Sequence, residues 1–107
     1  MDIWVTGGAG FIGSSLIRQL NNNDINDILI VDDLTYGEKF TNLRRISFAE
    51  FIDIEEFIYK LDSNLLKKPT CIFHQGAITN TLERNGKLMF KYNYAFSVKL
   101  VNWANDN

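Results

Sequence analysis

The sequence predicts an α/β fold, a doubly wound parallel sheet with strand order 3-2-1-4, and three observations carry that expectation. The apolar run Ile3-Trp4-Val5-Thr6 leads directly into the turn Gly7-Gly8-Ala9-Gly10-Phe11-Ile12-Gly13-Ser14. Ile28-Leu29-Ile30-Val31 is continuously apolar, as in a strand covered on both faces. Segments with helical spacing alternate with such runs along the whole chain, the order that gives parallel strands joined by right-handed crossovers.

The elements follow in order. Residues 3–6 form the first strand, and Phe11, Ile12, Leu16, Ile17 and Leu20 give the i, i+3, i+4 spacing of a first helix that ends in Asn21-Asn22-Asn23. Asp32 closes the second strand, and residues 33–42 read as a polar loop. A short third strand is expected at Arg45-Ile46-Ser47-Phe48, with a charged start that suits an edge. Asp53 and Glu56 have capping-box spacing, so a second helix is expected from Ile54 to Leu66, closed by Lys67-Lys68-Pro69. Thr70-Cys71-Ile72-Phe73 supplies the fourth strand. The last helix is expected from Lys87 to Trp103, with Phe90, Tyr94, Val98 and Val101 on its core face.

Glycine at the first turn serves distinct purposes: positive φ without a Cβ clash, close approach of backbone to a pyrophosphate, and tight packing of helix on strand. Gly7-x-x-Gly10-x-x-Gly13 places them ahead of a helix whose N-terminal N–H groups and dipole favour an anion. A glycine triplet alone is a weak signal, but here a strand precedes it, a helix follows, and Asp32 stands 19 residues after Gly13. That is close to the ~20 expected of an acid that bonds an adenosine ribose. The pattern is Rossmann-like, and a dinucleotide is the expected ligand. It belongs beyond the carboxyl ends of strands one and four, where the loops Gly7 to Gly13, Asp32 to Lys39 and His74 to Thr81 meet.

Composition narrows the remaining classes. The chain has 107 residues, 46% hydrophobic and 22% charged, which suits one folded domain. A net charge of -2 with scattered basic residues gives no nucleic-acid footprint, and no apolar run approaches the ~20 residues of a membrane span. The single Cys71, inside an apolar run, reads as a small buried hydrophobe in a cytoplasmic protein. No metal-ligand cluster is expected, and His74 at the end of strand four reads as a hydrogen-bonded structural group.

The stretch Thr6 to Ser14 resembles the opening of the extended short-chain dehydrogenase/reductase family, the nucleotide-sugar epimerases and dehydratases. Within it, Val31-Asp32-Asp33-Leu34, Gly37-Glu38-Lys39-Phe40-x-Asn42-Leu43 and Ile72-Phe73-His74-Gln75-Gly76-Ala77 are similar to the heptose 6-epimerase group. The resemblance implies a cofactor, NADP or NAD, with its pyrophosphate over Gly7, Gly10, Phe11, Ile12 and Gly13. Asp32 and Asp33 would meet the ribose, and Lys39 would pair with a 2′-phosphate if the cofactor is NADP, whereas the second carboxylate of Asp33 suits a free ribose. Gln75, Gly76, Ala77, Ile78 and Thr79 would run along the cofactor, and Asn93 would brace that region. A nucleotide-sugar substrate is the partner implied, with no nucleic acid and no membrane.

The family's chemistry uses a Tyr-x-x-x-Lys pair, in which the lysine lowers the tyrosine's pKa for proton transfer beside a hydride step. Tyr36, Tyr59, Tyr92 and Tyr94 are followed four residues later by Phe40, Ser63, Phe96 and Val98, so no catalytic residue is assigned. Residues 1–107 are therefore expected to be the N-terminal part of an NAD(P)-binding domain, without the catalytic and substrate-binding regions. The alternative is a non-catalytic nucleotide-binding module or an inactive gene fragment. Strand four would carry a free parallel edge, open to a homo-oligomer or a complementing C-terminal fragment.

Overall fold

A computed structural model describes residues 2–33, 39–75 and 96–106. Four parallel strands form one sheet, β1 (Ile3–Thr6), β2 (Ile28–Asp32), β3 (Glu50–Asp53) and β4 (Cys71–His74), in the order β3-β2-β1-β4. This is the expected 3-2-1-4 arrangement. The helices are α1 (Phe11–Asn22), α2 (Ile54–Asp62) and α3 (Phe96–Asp106), with a 3-10 helix at Lys39–Arg45.

Strand alternation sorts the core onto both faces of the sheet. Val5, Ile28 and Ile30 join Ile17 of α1 on one face. Trp4, Leu29, Val31 and Ile52 meet Phe57 and Leu61 of α2 and Leu100 of α3 on the other. All of β2 is buried, which explains its unbroken apolar run. Trp4 anchors the second face, with the Phe57 ring edge-on at 5.3 Å and the Trp103 ring stacked at 5.0 Å.

The third strand lies later than the sequence suggested. Arg45-Ile46-Ser47-Phe48 does not join the ladder, because a side chain satisfies the backbone there: Ser47 N donates to Asn21 Oδ1 at 2.8 Å, and Asn21 Nδ2 donates to Ser47 O at 3.0 Å. Ile46 and Phe48 pack against the α1 side of the core from outside the sheet. Pairing starts after Ala49 N donates to Ile28 O at 2.9 Å, and runs from Leu29↔Glu50 to Asp32↔Asp53.

Asp53 ends β3 and also caps α2, its Oδ2 accepting from Glu55 N at 3.0 Å. Glu56, the other member of the expected box, points toward Lys60 Nζ at 3.6 Å. The helix stops at Asp62 rather than Leu66. Asn64 takes a left-handed conformation, φ 54°, and Leu65 N donates to Lys60 O at 3.0 Å, so the chain turns off before Lys67-Lys68-Pro69 is reached.

The inward face of α3 also differs from the expected one. Leu100 is buried and Trp103 packs on Trp4, while Val98 and Val101 are 41% and 54% exposed. Docking through Ser97, Leu100 and Trp103 rotates the two valines outward; Phe90 and Tyr94 lie outside the described residues. Lys99 Nζ reaches Asp62 Oδ1 at 2.6 Å and ties α3 to α2. No described helix is long and apolar enough to cross a membrane.

Phe57 is fully buried against Trp4, so Phe57→Ala is expected to lower unfolding free energy by about 3–5 kcal/mol in urea titrations. Asp53→Ala, which removes only the cap, should lower it by about 1 kcal/mol.

Candidate functional site

The glycine turn lies between β1 and α1, and its shape is set by backbone contacts. Gly7 has φ 72°, the left-handed region glycine enters without strain, and its N–H donates to Val31 O at 2.7 Å. Gly10 N returns to Gly7 O at 3.0 Å. A Cβ at Gly13 would stand 2.1 Å from Gly7 O and 2.9 Å from Gly8 Cα, so the helix can approach the strand this closely only with glycine there. A Cβ at Gly8 would meet Ile30 at 2.9 Å and Ile17 at 3.0 Å. Gly10 is less confined, since a Cβ there would stand 3.3 Å from Gly7 O.

Two side chains hold Ala9 from opposite ends of its peptide units. Asp32 Oδ2 accepts from Ala9 N at 2.9 Å, and Asn42 Nδ2 donates to Ala9 O at 2.8 Å. Asp32 is buried, and its Oδ1 accepts from Asp33 N at 2.7 Å. The expected ribose acid thus also braces the turn, its carboxylate accepting from two backbone N–H groups. Asn42 is quoted in the family pattern above, but its role depends on a contact 33 residues away that no local pattern encodes.

Gly10 is the N-cap of α1, no side chain caps that end, and its first turn holds no acidic residue. The first N–H groups of a helix have no intrahelical acceptor, so they and the dipole present partial positive charge. Phe11 and Ile12, in this turn, are 81% and 67% exposed, unusual for large apolar side chains. A glycine-lined cradle, an uncapped helix end and a carboxylate at the end of the neighbouring strand fit a dinucleotide's pyrophosphate and ribose.

The structure brings together Gly7, Gly10, Phe11, Ile12, Gly13, Asp32 and Asp33. Gln75 follows β4, exposed, with its N–H on Thr6 O at 2.9 Å, and Lys39 opens the 3-10 helix. Gly76, Ala77, Ile78, Thr79 and Asn93 lie outside the described residues. His74 bridges three elements: Nδ1 is 2.5 Å from Thr6 Oγ1 of β1, and Nε2 is 2.7 Å from Ser97 Oγ of α3. Burial lowers its pKa by penalising the charged ring.

The model of the NAD dependent epimerase/dehydratase family matches residues 3–107. The chain belongs to this family. Among curated relatives of this epimerase/dehydratase chain, the ADP-L-glycero-D-manno-heptose-6-epimerase of Brachyspira hyodysenteriae is 46% identical over 101 residues, 92% of this chain and 32% of the relative. The enzyme of the same name from Pseudomonas paraeruginosa is 45% identical, over 94% of this chain and 31% of its own length. Among solved structures, the UDP-glucose 4-epimerase of Thermotoga maritima superposes with a TM-score of 0.72 at 33% identity, covering 97% of this chain and 34% of that one. The chain therefore spans about a third of the length of the epimerases it matches. Family membership carries a nicotinamide cofactor with it.

Two outcomes test the site's construction. Gly13→Ala should disrupt the turn, lowering the thermal midpoint sharply, while Gly10→Ala should leave the fold nearly unchanged; equal effects would contradict the packing. The folded pKa of His74 lies below 6.5, so the unfolded chain takes up its proton first as pH falls. The resulting stability is fully present above pH 6.5 and lost as pH drops through the folded value. His74→Gln should flatten that part of the unfolding free-energy profile.

Proposed function

We propose that the chain is the cofactor-holding, N-terminal part of an NAD(P)-binding domain in a nucleotide-sugar epimerase of the heptose 6-epimerase kind. The observation that carries this reading is the junction of β1, α1 and β2. Gly13 sits against Gly7, the bare N-terminus of α1 opens beside it, and Asp32 closes the neighbouring strand. The N–H groups of Phe11 and Ile12 would bind the pyrophosphate, and Asp32 with Asp33 would accept from the ribose hydroxyls. Gln75, Gly76, Ala77, Ile78 and Thr79 would follow the cofactor, with Asn93 bracing them.

A bound nicotinamide would supply the acceptor, and then the donor, of a hydride exchanged with a sugar carbon. This chain's residues bind and orient: the turn fixes the phosphates, Asp32 fixes the ribose, and the exposed Phe11 and Ile12 screen the diphosphate from water. Residues 1–107 contain no Tyr-x-x-x-Lys pair, so in this reading the acid-base pair that serves the sugar comes from another segment of the whole enzyme. The substrate class is a nucleotide-linked sugar, and the setting cytoplasmic, where a lone Cys71 stays reduced.

Thermal unfolding with NAD and with NADP tests the reading. Ligand at about 100 times its Kd should add about 2.7 kcal/mol to the stability of the folded chain. Gly10→Trp, which fills the cradle, should abolish that gain, and Cys71→Ala, far from the turn, should not. A folded chain that gains nothing from either dinucleotide would refute the proposal.

A further inference from the structure

His74 closes β4 as the register partner of Thr6, the last residue of β1. Alternation puts both side chains on the face that carries Trp4 and Ile72, against which α3 packs. There the ring spans two hydroxyls, with Nδ1 2.5 Å from Thr6 Oγ1 and Nε2 2.7 Å from Ser97 Oγ in the first turn of α3. A neutral imidazole has one donor and one acceptor nitrogen, so it fits this bridge with one hydroxyl donating to the ring and the other accepting from it. A charged ring donates from both nitrogens. Whichever hydroxyl had donated must then turn its hydrogen away, at a place where Thr6 is buried and Ser97 half-buried.

The bridge bears on the dinucleotide site. Gln75 N donates to Thr6 O at 2.9 Å, so residues 74 and 75 both bond to the residue before Gly7, whose carbonyl Gly13 packs against. A turn of the ring therefore acts on the carboxyl ends of β1 and β4 together and on the start of α3. Burial already disfavours the charged ring. A ligand lying across those strand ends removes more water from it and disfavours the charge further. Among the described residues, the ionisable groups on the surrounding elements are engaged or turned away. β1 has none from Ile3 to Thr6, and Cys71 takes the opposite face of β4 by alternation. Lys99 of α3 is held by Asp62 of α2, Asp106 stands at the far end of α3, and Asp32 of β2 accepts from two backbone N–H groups. We propose that His74 is a positioning residue for the dinucleotide, whose neutral ring locks the ends of β1 and β4 to α3 and so makes cofactor affinity depend on pH. The inference rests on the dinucleotide reading above. Binding and ring protonation then oppose one another. The cofactor binds best with the ring neutral, loses affinity as falling pH charges it, and reciprocally keeps the ring neutral to lower pH.

His74 is the only histidine of the chain, so its ring protons can be followed unambiguously by 1H NMR, first free and then with whichever of NAD and NADP binds more tightly. Calorimetry with the same dinucleotide from about pH 8 to about pH 5, above the ordinary range of the Asp32 and Asp33 carboxylates, reads the affinity. The proposal expects the ring to titrate at lower pH in the complex and the affinity to fall about fivefold or more as pH is lowered across that range. Ser97→Ala, which frees Nε2 from α3, should weaken both effects, and His74→Gln should remove the pH dependence. A ring that titrates at the same pH free and bound overturns the proposal and leaves the dinucleotide reading standing. A move to higher pH does the same, because it reduces the ring to simple attraction for the phosphates. Effects of equal size in Ser97→Ala and the parent also overturn it, since the bridge to α3 would not be their cause. A folded chain that binds neither dinucleotide at any pH overturns both proposals.

Discussion

A backbone contact too close for any side chain organises this molecule. Gly13 of α1 rests against the carbonyl of Gly7, where a Cβ would lie 2.1 Å from the oxygen. This approach fixes the angle at which α1 leaves β1, seats Ile17 on Val5, Ile28 and Ile30, and leaves the helix N-terminus open above the strand ends. The clamp on Ala9 then makes the turn rigid, because Asp32 holds its N–H and Asn42 its carbonyl. Fold and site share these atoms. The residue proposed to meet the ribose is also one that keeps the glycine turn in shape, so under that proposal Asp32 joins stability to binding.

The opposite face of the sheet is organised by aromatic packing. Trp4 takes Phe57 edge-on and Trp103 as a stack, which draws α2 and α3 onto β1 and β2. His74 adds a polar link from β4 to β1 and α3 through two hydroxyls. These contacts hold the carboxyl end of β4 beside that of β1, where a doubly wound sheet binds ligands. Gln75 emerges there, with its backbone tied to Thr6.

Much of this was legible in the sequence because it is local. Strand β1, the glycine turn, α1 and β2 follow from apolar period and glycine spacing within the first 32 residues. The strand order followed from the alternation of elements. What escaped depends on contacts distant in sequence or on small rotations. Ile46 and Phe48 alternate as a strand would, but Asn21 occupies the Ser47 backbone from the far end of α1. Asp53 was legible as a cap, yet not as the last residue of a strand, since one residue serves both elements without a loop. Val98 and Val101 share a helical spacing, but Leu100 and Trp103 compete for the same sheet and prevail through the larger aromatic contact. In the site, glycine spacing and Asp32 were readable; Asn42 was not, because its value lies in one amide reaching Ala9 across the turn.

The most direct measurement of the central claim is a two-dimensional 1H-15N NMR titration of the folded chain with NAD and with NADP, assigned residue by residue. The account predicts the largest amide shifts at Gly10, Phe11, Ile12 and Gly13, a second group at Ala9, Asp32 and Asp33, and little change along α2. Shifts that spare the glycine turn, or that cluster on α2 and the outer face of α3, would contradict it.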